Sequence, residues 1–190
     1  MPINLEQLEA HLVADGLKYR LADEGYLLTG FATRNYVGPG GREGVAIAIR
    51  LDEDGEHVEF TAPSLYNSKA CRHPAALFEA LLAITMRTKL IRFEHDPADG
   101  EVRSSIECAV EDGSLTKRQF FRMLHCLSES IDRWDPVIRV AMETGLVNLE
   151  PVSGGAEHLA RLAAVEASAG GIDRLEELVK RSKIKRDRPG

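Results

Sequence analysis

Two places in this sequence set a thiol beside an imidazole, Cys71-Arg72-His73 and His125-Cys126. A nucleophilic cysteine needs a base within hydrogen-bond reach and a polar setting that favours the thiolate. The first pair lies in a segment rich in turn residues, where a tight turn can point the two groups apart. Neighbours on a helix sit about 100° apart around the axis, which makes Cys126 a partly buried small hydrophobe. The other histidines, His11, His57, His95 and His158, add no i, i+4 pair and no Cys/His knuckle, so no metal site is readable. Asp52, Asp54, Asp96, Asp99 and Glu101 offer oxygens of the kind calcium takes, but they complete no EF-hand loop, and hairpin turns recruit Asp and Gly for backbone reasons alone. Gly38, Gly40 and Gly41 lack the Lys-Ser/Thr and helix start of a phosphate cradle. The sequence therefore implies no catalytic residue, no metal and no cofactor.

The elements that position these groups alternate between helix and strand patterns. Asn4 and Gln7 form a capping box for a first helix striped by Leu5, Leu8, Leu12 and Val13. Leu17 to Leu21 and Tyr26 to Thr33 read as strand pieces around Asp23-Glu24-Gly25, the second apolar on both sides, so Tyr26, Leu27, Leu28 and Phe31 are either covered or form a sticky patch. Residues 37 to 41 read as a flexible connection. Val45, Ile47, Ile49 and Leu51 alternate with small or charged residues, and a turn at 52 to 55 returns the chain through Val58, Phe60 and Ala62. A loop from Pro63 to Arg72 precedes a helix begun by Pro74.

That helix is unusual. Between Ala75 and Met86 only Glu79 and Thr85 are polar, which leaves no broad wet face. Such a rod needs cover on two sides, one from its own sheet and one from the C-terminal segment or a second copy of the chain. Homodimerisation through Phe78, Leu81, Leu82 and Met86 is the resulting expectation.

A second hairpin follows, Ile91 to Glu94 and Val102 to Val110, and then a long helix capped by Thr116 and Gln119 and striped by Phe120, Leu124, Leu127, Ile131 and Trp134. Asp135-Pro136 either restarts this helix or kinks it. Beyond Gly145, an Ala-rich helix with Leu159, Leu162 and Val165 and a shorter one with Leu175, Leu178 and Val179 are expected to dock on the body or on a partner. Domain boundaries are expected at 1–147 for the body and 148–190 for a helical extension.

The 190 residues carry a net charge of −6, with 44% hydrophobic and 28% charged side chains, enough for one core without disulfides. Three cysteines without a CxxC, no long apolar run and no basic leader point to a cytoplasmic protein. Residues 180 to 190 hold six basic groups against one acid, while the remainder holds 18 basic and 29 acidic groups. A body this acidic repels phosphate backbones, so nucleic acid is not an expected partner except through the basic tail, and no membrane partner is expected.

Residues 4 to about 145 thus read as an α+β fold, one antiparallel sheet with helices on one face in the order αβββαββα. The order, carried by Val45 to Leu51, Phe60-Thr61-Ala62-Pro63, Leu77 to Met86, the hairpin Ile91-Arg92-Phe93-Glu94 to Val110, and Leu115-Thr116-Lys117, resembles the YbjN domain and the type III secretion chaperones. The resemblance implies a small acidic dimer that holds partner segments on its surface and performs no chemistry. The outward strand residues Arg50, Glu59, Arg92, Glu94, Arg103 and Glu107 are charged rather than apolar, so fold and dimerisation, not cargo, are what it implies. The expected function is protein binding of a chaperone or adaptor kind, with a partner segment laid across those six residues or along an edge strand. Competing readings are a ligand-binding or enzymatic pocket between the sheet and the C-terminal helices, and a nucleic-acid accessory role for the tail.

Overall fold

A computed structural model describes residues 3–111 and 113–149. The expected helical extension and basic tail, from 150 onward, lie outside the described residues. The elements are α1 (Leu5–Ala14), β1 (Tyr19–Leu21), β2 (Leu27–Phe31), β3 (Val37–Gly38), β4 (Arg42–Glu43), β5 (Val45–Asp52), β6 (His57–Asn67), α2 (Pro74–Arg87), β7 (Arg92–His95), β8 (Glu101–Ala109) and α3 (Lys117–Thr144). Six strands form one antiparallel sheet in the order β1-β2-β5-β6-β8-β7, and the fold is α+β.

Register separates the two faces of the sheet. Leu27 sits opposite Ile49, Ile49 opposite Phe60, and Phe60 opposite Ile106, so one row of apolar side chains runs across four strands. These residues join Leu8 and Leu12 of α1, Leu77 and Ile84 of α2, and Phe120, Leu124, Leu127 and Ile131 of α3 in one buried core. The rows between them, Leu28-Ala48-Thr61-Ser105-Arg92 and Arg50-Glu59-Glu107, point to the opposite face.

Both capping boxes form. Asn4 Oδ1 accepts the Gln7 amide at 2.9 Å while Gln7 Oε1 accepts the Asn4 amide at 3.0 Å, and Thr116 and Gln119 repeat the exchange at α3. Gly55, at φ 93°, packs so closely on the N-terminal segment that a Cβ there would collide with the Ile3 carbonyl.

Four expectations need correction. The segment 37–41 is a connection in part only, because Val37-Gly38 pairs with Arg42-Glu43 as a two-stranded ribbon. The loop expected from Pro63 is strand as far as Asn67: β6 passes Pro63 through an irregularity between Ala62 and Tyr66, with Ser64 at φ 53°, where the missing proline N–H breaks no ladder bond. α3 is one helix from Lys117 to Thr144 with Pro136 inside it, so of the two readings of Asp135-Pro136 the restart falls. The second flank of α2 is covered by α3, with Ala76 and Ala80 against Ala141, small residues that let the two helices approach closely.

Candidate functional site

Register brings all six charged residues singled out above onto one sheet face, on the four adjacent strands β5, β6, β8 and β7. Arg50 lies opposite Glu59, Glu59 opposite Glu107, and Glu94 opposite Arg103. Arg92 Nη1 donates to Glu107 Oε2 at 2.9 Å and Arg92 Nε to Glu94 Oε1 at 3.1 Å, and Arg103 Nε donates to the other Glu94 oxygen at 2.7 Å. Hydrogen bonding to Glu107 raises the Arg92 guanidinium above its ordinary value. Arg50 lies over the Tyr26 ring at 4.9 Å, and Tyr26, Leu28, Ala22 and Ala48 make a small apolar cluster at this end. The face is drier than a solvated row of charges: Glu59 is 1% exposed and Ser105 0%, while the Arg92 side chain keeps 41%.

Across the β7 edge, α2 presents a different surface. Leu82 is 71% and Met86 89% exposed, on the same helix stripe as the half-buried Phe78. Leu81, expected with them, is buried against the protein's own core. A groove of about 280 Å³ runs between this stripe and β7, lined by Phe78, Leu82, Thr85, Phe93 and His95 among others. The His95 ring packs edge-on to Phe78 at 4.7 Å, and its Nε2 is 2.8 Å from Ser68 Oγ. Among the described residues β7 pairs with β8 alone and forms one edge of the sheet.

The groups weighed for chemistry are dispersed. Cys71 Sγ lies 3.5 Å from the Met142 carbonyl, which also accepts the His73 amide, so both residues are anchored to the end of α3. Cys71 lines a cleft of about 380 Å³ with Arg72, Arg139, Met142 and Glu143. His125 stacks against Phe31 and Phe121, and burial pushes the Cys126 thiol up. Asp96 and Asp99 accept backbone amides of their own turn, and Glu101 accepts the amide and hydroxyl of Ser64. Among the described residues no three His, Cys, Asp or Glu side chains converge as a metal site requires, and no helix is long and apolar enough to cross a membrane.

A buried polar network around Pro136 had no sequence signal beyond the proline itself. Pro136 has no N–H for the carbonyl of Asp132, and Asn35 Nδ2 donates to that carbonyl instead at 3.1 Å. Asp132 Oδ1 also accepts the backbone amides of Arg34, Asn35 and Tyr36 at 2.9, 2.7 and 2.9 Å. One turn on, Asp135 accepts from Tyr66 Oη at 2.9 Å and Arg139 Nε at 2.7 Å. Burial raises the Asp135 carboxyl above its ordinary value although Arg139 and Tyr66 oppose the shift, and burial likewise raises both tyrosines. The network pins the 33–37 segment and β6 to α3. A search could have used only the i, i+3 aspartates that precede a mid-helix proline.

No family model matches this chain, and no curated protein matches it. Solved structures of similar fold do. YbjN from E. coli is 21% identical over 73% of this chain and 91% of its own, with a TM-score of 0.48. A chain of the ExsC–ExsE complex is 16% identical over 72% of this chain and 97% of its own, with a TM-score of 0.47. The likeness is one of fold.

Proposed function

We propose that this is a non-enzymatic protein-binding protein of the chaperone or adaptor kind, working as a homodimer. The observation that carries the reading is the stripe of half-buried Phe78 and exposed Leu82 and Met86 beside β7, an edge strand among the described residues. Each large apolar side chain left in water forgoes about 1.5–3 kcal/mol available on burial. A stripe at i, i+4 and i+8 is self-complementary about a two-fold axis, so a second copy covers it with the same residues. The partner segment takes the charged side of the same edge. Its backbone pairs with β7 and its polar groups meet Arg92, Glu94, Arg103 and Glu107, while Arg50 and Glu59 lie deeper in the face.

Arg92→Glu with Arg103→Glu tests the partner surface. Both side chains belong to partly exposed cross-strand pairs, so the variant is expected to fold and to lose partners captured by the wild type, with capture by the wild type weakening as salt rises. Unchanged capture by a folded double variant contradicts this surface.

A further inference from the structure

We propose that the cavity between the end of α2 and the middle of α3 binds a free dicarboxylic amino acid, L-glutamate or L-aspartate, with its ammonium at Glu129 and its two carboxylates at Arg87 and Arg133. Neither surface of the function proposed above contributes a residue to this site.

The cavity follows from how the two helices meet. Near the start of α2, Ala76 and Ala80 touch Ala141 of α3, and small residues permit close approach there. At the other end of α2 the side chains are longer, and a space of about 280 Å³ remains. Arg87 and the capping residue Thr88 line it from one side, and Glu129, Ser130, Arg133 and Trp134 line it from α3. Its size is at the lower end of the range for small-molecule sites.

Three charged groups line this space without neutralising one another. Glu129 and Arg133 stand i, i+4 on α3, the spacing at which a glutamate and a following arginine ordinarily pair. That pair is not made: Glu129 Oε1 is enclosed and accepts no hydrogen bond, and the Arg133 guanidinium lies over the Trp134 ring, 5.5 Å from its centre. Arg87 is also turned to a neutral partner, its Nη1 donating to the Leu149 carbonyl at 2.8 Å, which leaves further guanidinium N–H groups for a ligand. The hydroxyls in the lining do not answer Glu129 either, since Thr88 Oγ1 donates to the Ile84 carbonyl at 2.9 Å and Ser130 meets the Cys126 thiol. An enclosed carboxylate oxygen with no donor calls for one from outside, and a primary ammonium supplies it. Guanidinium groups take carboxylates through their paired N–H donors. The charges then balance: two arginines and one glutamate sum to +1, and an amino acid with two carboxylates and one ammonium carries −1. A monocarboxylic amino acid leaves one arginine without a counter-charge, and a dicarboxylate lacking the ammonium leaves Glu129 as it stands.

The test is isothermal titration calorimetry of the full-length chain with L-glutamate and L-aspartate, against glutarate, which lacks the ammonium, and L-alanine, which lacks the second carboxylate. One of the two acidic amino acids is expected to saturate a single site per chain, binding at least about tenfold tighter than glutarate or L-alanine. Glu129→Gln is expected to abolish the preference over glutarate, and Arg133→Gln and Arg87→Gln each to weaken the acidic amino acid at least about tenfold. The two arginines are exposed and Glu129 is half-buried, so all three variants are expected to keep the wild-type urea midpoint. No saturation by either acidic amino acid up to about 10 mM, glutarate bound as tightly, or a folded Glu129→Gln protein that keeps the preference, each overturns the proposal.

Discussion

The acceptor that closes the interior is a single carboxylate. Asp132 Oδ1 takes three successive backbone amides, and its own carbonyl takes the fourth donor, Asn35 Nδ2. Asp132→Ala strands the buried Tyr36 amide and the part-buried amides of Arg34 and Asn35, so it is expected to lower unfolding free energy by about 2 kcal/mol, read by urea denaturation. Gly55→Ala is expected to cost a similar amount, since the new Cβ meets the Ile3 carbonyl at a positive φ; an unchanged urea midpoint would contradict the packing of the N-terminal segment. Asp135 gives a pH dependence of the less usual sign. Its carboxyl is raised in the folded state above the ordinary 3.8, so the folded protein binds the proton more readily than the unfolded chain. Its contribution to stability is full below that ordinary value and is lost as pH rises through the folded value. Wild type should therefore gain on Asp135→Asn as pH falls from neutrality toward 4, in paired urea titrations; a gap that narrows on acidification would contradict it.

Elements were legible where one periodicity governed them. β5 alternates because one side meets the core, and both capping boxes were visible as residue pairs three apart. The end of β6 was not, because Pro63 and Ser64 carry turn chemistry and only the pairing of Tyr66 with Val102 and Asn67 with Glu101 keeps the chain extended. Pro136 left kink and restart open because the compensating donor, Asn35, lies about a hundred residues away. Of the candidate site, the six charged residues could be placed on one face from strand alternation alone, but not the dryness of Glu59, which depends on what lies above the sheet. The stripe on α2 was legible as excess apolarity; Leu81 was misplaced among its exposed members because which side of the helix meets the core is a tertiary fact. At this scale Leu82→Asp with Met86→Asp removes no core contact, and the monomer fold should survive it with its far-UV spectrum intact.

For the whole molecule, the proposed function assigns two surfaces: an apolar stripe on α2 to a second copy, and the charged sheet face beside the β7 edge to a partner segment. Among the described residues the helices pack on one side of the antiparallel sheet, which separates the two surfaces. The same arrangement predicts that loss of dimerisation and loss of partner capture are separable, the first by aspartates on α2 and the second by glutamates on β7 and β8. Sedimentation equilibrium on the full-length protein tests the central claim most directly. The account predicts twice the chain mass for the wild type at about 10 μM and a folded monomer for Leu82→Asp, Met86→Asp, a difference that holds at high salt because the interface is apolar. A wild type that sediments as a monomer, or a double aspartate variant that remains dimeric, would contradict it.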